Sequence, residues 1–226
     1  MGIKFSHQFN GAFIMFVVLQ SFLVESRHVK LEPPHNQEQG HRKSNGTSDD
    51  IAPSTLDGLY SSKINYNLYG GKWYKSPVTY GFDSTSPMPS GLNYEDVIYV
   101  IDEAFQKWQA VVPEFAFQRI YPGEDADITI LFTTVSTEYY GYSYYPPDGR
   151  LHLDIDHTYW SIESYPAWNE HDLLSGAMHE IGHTLGLMHT SNRDAVMYPT
   201  LDYGTIKREL SQEDIDRIQS LYYDEY

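Results

Sequence analysis

Apolar positions along the chain fall into two periods. Between residues 93 and 111, Val97, Ile101, Ala104, Phe105 and Trp108 recur every three or four positions, the period of a helix with one buried face, and Asn93 stands where an N-cap belongs. Residues 173–187 predict a second helix and 211–223 a third, with Ser211 as N-cap and Asp214 three positions on, a spacing that resembles a capping box. Alternation with period two predicts strands over 73–82, where Val78, Tyr80 and Phe82 alternate, and over 115–120, 128–135, 139–145 and 150–155. The last two flank Pro146-Pro147-Asp148-Gly149, and Asp-Gly suits a tight hairpin. No internal repeat is present.

Residues 1–26 read as a secretory signal: Lys4 supplies the positive start, a short apolar run follows from 11 to 24, and Val24-Glu25-Ser26 suits cleavage. The run is shorter than the roughly 20 apolar residues a membrane span needs, and no later segment is apolar enough to span. Residues 27–69 are polar and aperiodic, as expected of a pro-segment or linker and not of a second core. Asn45-Gly46-Thr47 within them is a glycosylation acceptor triplet.

Composition narrows the function. The formal charge is −16, and the five basic and five acidic residues of 27–69 cancel, so the acidity belongs to residues 70–226. Such a surface has nothing with which to neutralise phosphates, which argues against nucleic acid and anionic membranes as partners. With 41% hydrophobic residues the chain can bury a core, and with no cysteine it has no disulfide, thiolate metal site or Cys nucleophile.

The chemistry is concentrated in His179-Glu180-Ile181-Gly182-His183-Thr184-Leu185-Gly186-Leu187-Met188-His189. Four residues of helix turn through about 400°, so His179 and His183 stand on one face and can share a cation. Glu180 lies beside that cation, where a general base for an activated water is needed. Gly186 can end the helix in the left-handed conformation, and His189 then returns as a third ligand. Three neutral nitrogens leave a fourth position open, the arrangement of a catalytic zinc and not of a closed structural one.

This stretch matches the metzincin zinc-binding motif, and Ala195-Val196-Met197-Tyr198-Pro199 resembles the Met-turn of the matrixins, the matrix-metalloproteinase family. The resemblance runs over 70–226, through Gly70-Gly71-Lys72-Trp73, Ala126-Asp127-Ile128 and the terminal Asp214-Ile215-Asp216-Arg217-Ile218-Gln219-Ser220-Leu221-Tyr222 segment. It implies an α+β (α/β-type) catalytic domain: a twisted mixed sheet with an antiparallel edge strand lining the cleft, and three helices including the zinc-binding one. It implies that His179, His183 and His189 hold one catalytic zinc, that Glu180 transfers protons, and that Met197 supports the site from below. Tyr142 and Ser143, on the run aligned with the family's substrate-pairing edge strand, and Tyr198 and Pro199 are the residues it suggests for the cleft.

Several positions depart from the family pattern. The long loop that carries a structural zinc and calcium is largely deleted after Val135, and His157 stands where an acidic ligand is expected. His152 therefore reads as an ordinary strand residue, no second zinc is expected, and the shortened loop does not support calcium. Matrixin pro-segments carry a cysteine that caps the zinc, which this chain lacks. Either the enzyme is born active, or residues 27–69 block the cleft with another group, for which Asp49, Asp50, Asp57, His35 and His41 are candidates. Pro199-Thr200-Leu201 replaces the usual Pro-x-Tyr wall of the S1′ pocket.

The expectation is a secreted, extracellular, monomeric zinc endopeptidase acting on protein or peptide substrates, with no nucleic-acid or membrane partner. Two alternatives stand beside it. One is a catalytically silent metzincin-fold binding or decoy protein, opposed by the intact Glu180; the other is a different metzincin branch, opposed by Met197-Tyr198-Pro199.

Overall fold

The computed structural model describes residues 71–113 and 115–223 together with the backbone of 39–44. The signal sequence, Asn45-Gly46-Thr47, His35, Asp49, Asp50 and Asp57 lie outside the described residues. The elements in chain order are β1 (Gln39–Ser44), β2 (Val78–Phe82), α1 (Tyr94–Gln109), β3 (Phe117–Arg119), β4 (Ile128–Thr133), β5 (Tyr139–Ser143), β6 (Arg150–Asp154), β7 (Trp160–Ser161), β8 (His171–Asp172), α2 (Leu173–Thr184), β9 (Thr200–Asp202) and α3 (Gln212–Tyr223).

Seven strands form one mixed sheet in the order β3-β2-β4-β6-β5-β1-β9. Strands β3, β2, β4 and β6 are mutually parallel, and β5 runs antiparallel to β6. The fold is the α+β arrangement expected, with three helices. Helices α1 and α3 begin where the sequence places their caps, and Asp172 supplies one for α2. The Asn93 side chain accepts from the Asp96 N–H, Asp172 caps α2 by accepting from the Ser175 N–H, and Ser211 and Asp214 exchange the two bonds of a capping box.

One face of the sheet meets the helices. Ile128, Ile130 and Phe132 of β4 and Leu151 and Leu153 of β6 are fully buried, and α1 contributes Ile101, Phe105 and Trp108 to the same core. Helix α2 is buried all round, its Met178 and Ile181 within that core and the Met178 carbonyl accepting from the Trp108 indole N–H at 2.9 Å. A helix enclosed on every side holds its side chains in fixed directions, which a metal site requires.

Three local expectations are corrected. The strand expected over 73–82 begins only at Val78, because Pro77 has no N–H to donate to a ladder. The Asp148-Gly149 hairpin closes as a six-residue connection, 144–149, with the Tyr144 N–H donating to the Arg150 carbonyl and Gly149 at φ 66°. Finally, the segment read as a pro-segment or linker contributes a strand: Gln39–Ser44 pairs with β5, the antiparallel strand expected at the cleft. Strand pairing uses backbone groups alone, so a polar stretch without alternation can join a sheet unannounced.

Candidate metal centre

Helix α2 carries His179, Glu180 and His183, all buried. The His179 Nδ1 lies 2.6 Å from the Val196 carbonyl and the His183 Nδ1 2.7 Å from the Leu187 carbonyl. A carbonyl only accepts, so each Nδ1 carries the proton and each Nε2 presents a lone pair. The two Nε2 atoms face one another at 3.2 Å. Two lone pairs cannot hydrogen-bond each other, but a tetrahedral ion at about 2.0–2.1 Å from each nitrogen needs them about 3.3 Å apart. The donor set thus fits zinc.

The third imidazole arrives by a turn. Gly186 sits at φ 102°, and an added Cβ there would come within 2.5 Å of the Gly71 carbonyl oxygen, so strain and crowding both demand glycine. The Leu187 N–H closes the helix onto the Gly182 carbonyl at 2.9 Å, and the chain reverses to bring His189 back. One ligand atom from each of His179, His183 and His189 lies within 4.8 Å of the others; among the described residues no other group of three or more His, Asp or Glu side chains converges in this way.

Burial holds all three imidazoles in the neutral, ligating form. His179 is pushed down to about 3 by burial and then by neighbouring His189, and His189 to about 4 by burial and Arg217. His183 lies well below its ordinary value, through burial and its two histidine neighbours. Unfolded, each would take a proton near pH 6.5. Between roughly pH 6.5 and 4 these three groups bind more protons in the unfolded state, so they withdraw stability from the metal-free protein as pH falls, whereas the raised Glu180 carboxyl acts in the opposite sense. In a chelated Glu180→Gln protein, which removes that opposing group, the thermal midpoint is expected to drop between pH 7 and pH 5; an unchanged midpoint there would refute the neutral cluster.

Glu180 is fully buried, which pushes its carboxyl well above the ordinary range, and the Ser143 hydroxyl opposes that shift by donating to Oε2 at 2.5 Å. Room for the carboxylate comes from Gly141, where a Cβ would stand 2.9 Å from Oε1. Met197 is fully buried against α2, where a Cβ on Gly182 would overlap its sulfur. Turn 195–198 is held by Asp214 at the start of α3, whose carboxylate accepts from the Val196 and Met197 N–H groups at 2.8 and 3.1 Å.

Residues 72–223 match the family model described as matrixin. The chain belongs to the matrixin family. It is 40% identical over 136 residues to metalloendoproteinase 1 of Glycine max, covering 54% of this chain and 44% of that protein. It is 33% identical over 193 residues to metalloendoproteinase 1-MMP of Arabidopsis thaliana, covering 78% of this chain and 52% of that protein. Identity to the macrophage metalloelastase of Rattus norvegicus is 36% over 167 residues, 67% of this chain and 33% of that protein. The chain thus spans about half the length or less of these curated relatives.

Within this matrixin, the expected site residues are not all brought together. His179, His183 and His189 converge, Glu180 lies on the same helix as the first two, and Met197 packs against that helix at Gly182. Ser143 reaches the centre through its bond to Glu180, whereas Tyr142 packs its ring against His152 at 4.6 Å between ring centres. Half-buried Tyr198 lies beneath the Lys207 ammonium, 4.8 Å from the ring centre, and Pro199 leads directly into β9. His152 is a strand residue of β6, opposite Leu131 and Tyr142. Asp154 accepts from the Val135 and His157 N–H groups at 3.0 and 2.8 Å and so pins the connection after β4 to the end of β6.

Sequence reasoning missed the placement of Gly182, Gly141 and Asp214. Gly182 has a readable signal, a glycine inside a helix directly before a ligand, where helix propensity alone would disfavour it. Asp214 was legible only as half of a capping box.

Proposed function

We propose that this chain is a secreted zinc-dependent endopeptidase that hydrolyses peptide bonds of extracellular proteins, with His179, His183 and His189 as metal ligands and Glu180 as general base. The observation that carries this reading is the pair of Nε2 lone pairs facing each other at 3.2 Å with the Glu180 carboxylate on the same helix. A zinc ion held there supplies Lewis-acid chemistry, lowering the pKa of a water and polarising the scissile carbonyl.

The chain's own residues do the rest. Glu180 accepts a proton from the attacking water and returns it to the nitrogen of the leaving amine as the C–N bond breaks. Ser143 orients the carboxylate through Oε2, leaving Oε1 to face Gly141. Met197, braced by Asp214, sets the floor on which the imidazoles rest.

Secretion is supported by the leader-like 1–26 segment, and no described helix is long and apolar enough to cross a membrane. The catalytic unit is residues 70–226, acting as a monomer on protein or peptide substrates, and the −16 charge disfavours nucleic acid and anionic membranes as partners. The test is cleavage of a quenched peptide with an apolar P1′ residue by the secreted product. Turnover abolished by a chelator and restored by zinc is expected; chelator-insensitive turnover would sink the reading.

A further inference from the structure

The three expected ligands are not held alike. His179 and His183 ride on α2, and each Nδ1 is fixed by a backbone carbonyl. His189 lies beyond the helix, in the irregular chain between Gly186 and the Met-turn. A backbone without a ladder takes its place from whatever fastens it on either side.

Helix α3 supplies those fastenings. On the approach to the ligand, the Tyr222 hydroxyl donates to the Leu185 carbonyl at 2.9 Å, and Leu221 Cδ2 lies 3.0 Å from where a Gly186 Cβ would stand. On the exit, Asp214 accepts from the Val196 and Met197 N–H groups. Between the two, one residue after His189, the Thr190 hydroxyl donates to the Glu213 Oε1. That hydroxyl also accepts from the Asn192 N–H at 3.2 Å, while the Thr190 N–H donates to the Met197 carbonyl at 3.0 Å. Glu213 and Asp214 are neighbours in the first turn of α3, yet they hold opposite ends of residues 190–197.

Two properties set the Glu213 bond apart from an ordinary surface contact. A hydroxyl donating to a carboxylate makes a charge-assisted bond, stronger than a neutral one. Both partners are half-buried, so water competes for them less. Because Thr190 follows His189 directly, fixing its side chain also restricts the backbone that carries the imidazole. A zinc site tolerates errors of only about 0.2 Å in its metal–nitrogen distances, so a small swing of this backbone is felt at the metal.

We propose that Glu213, through Thr190, is a positioning residue for the third zinc ligand, so that the affinity of the centre is set from α3 as well as from α2. The inference rests on reading His179, His183 and His189 as a metal site. Glu213 and Thr190 are not themselves among the converging ligands, and both act through His189.

The test uses the full chain, stripped of metal and then titrated with zinc or cobalt(II) against a competing chelator. Thr190→Val removes the hydroxyl and keeps the β-branched shape; Glu213→Ala removes the acceptor from the other side. Each is expected to weaken zinc binding about 10–100-fold, the loss typical of a partner that orients a ligand. The visible bands of the cobalt form should weaken in parallel, because they are intense only while the site stays close to tetrahedral. Thr190→Ser keeps the donor and Glu213→Gln keeps an acceptor, and both should bind like wild type. The double variant should lose no more than either single one, since both changes remove one shared bond.

Unchanged zinc affinity with an unchanged cobalt spectrum in Thr190→Val and Glu213→Ala would overturn the proposal, even if both unfold at lower urea. A merely structural bond lowers stability without moving the metal. Equal losses in Glu213→Gln and Glu213→Ala would also overturn it, by assigning the effect to charge, as would losses that multiply in the double variant. Should one single variant fail to fold, the other carries the same prediction from the opposite side of the bond. A wild-type chain that binds no zinc would sink the metal-site reading and the proposal with it; wild-type binding with indifferent variants sinks the proposal alone.

Discussion

Glu180→Gln is expected to retain one zinc per chain and an unaltered thermal midpoint while lowering kcat/KM by about 10²–10⁴-fold, the range for removing a positioned general acid–base group. Glutamine keeps the shape of the side chain and can still accept from the Ser143 hydroxyl, which now meets the carboxylate at 2.5 Å. It cannot take a proton from water at neutral pH. Because Glu180 is fully buried and burial favours its uncharged form, a neutral replacement carries little folding penalty. Stopped turnover with metal content and stability preserved would separate proton transfer from metal binding. Retention of wild-type activity would remove Glu180 from the mechanism.

Gly182→Ala should disturb the packing beneath the site although it adds only one methyl group. Alanine ordinarily favours a helix over glycine by about 1 kcal/mol, so propensity alone predicts stabilisation. Here the added carbon would overlap the Met197 sulfur and stand 3.1 Å from the Trp108 ring, both fully buried. Overpacking of this kind costs about 1–3 kcal/mol, and it outweighs the propensity gain. Relief requires either the Met197 turn or α2 to shift, and α2 carries His179 and His183. We therefore expect a lower denaturant midpoint together with about 10–100-fold weaker zinc binding, the loss typical of a disturbed supporting shell. Chelator competition and urea unfolding read the two effects separately. A variant that binds zinc as tightly and unfolds no earlier would show that Met197 is not a rigid floor.

Much of this was legible residue by residue. The helices announced themselves through 3.6-residue periodicity and through Asn93, Ser211 and Asp214 at their starts. The ligand set was readable because helical geometry alone puts His179 over His183, and Gly186 marks where the chain must turn to return His189. What surrounds those ligands was not. That Ser143 belongs to Glu180 and Tyr142 to His152 depends on the register of β5 against β6, which pairs Ser143 with Leu151 and Tyr142 with His152. A one-residue slip would exchange their faces, and nothing local to the strand forbids it.

The sequence by itself determined the three helices, strands β2 to β6, the zinc-type donor set, the acidic residue beside it and the family, because each is encoded in spacing along a single segment. Tertiary structure decided three things that involve residues far apart in the chain. Asp214 braces the Met-turn from a helix that begins after it, and Gly182 is required because Met197 arrives from the opposite side. Gln39–Ser44 lies in the sheet between β5 and β9, although its composition reads only as a pro-segment or linker. The reason is the same in each case. Backbone hydrogen bonding and steric exclusion depend on which surfaces meet, and a local pattern of side chains specifies a surface without specifying its neighbour.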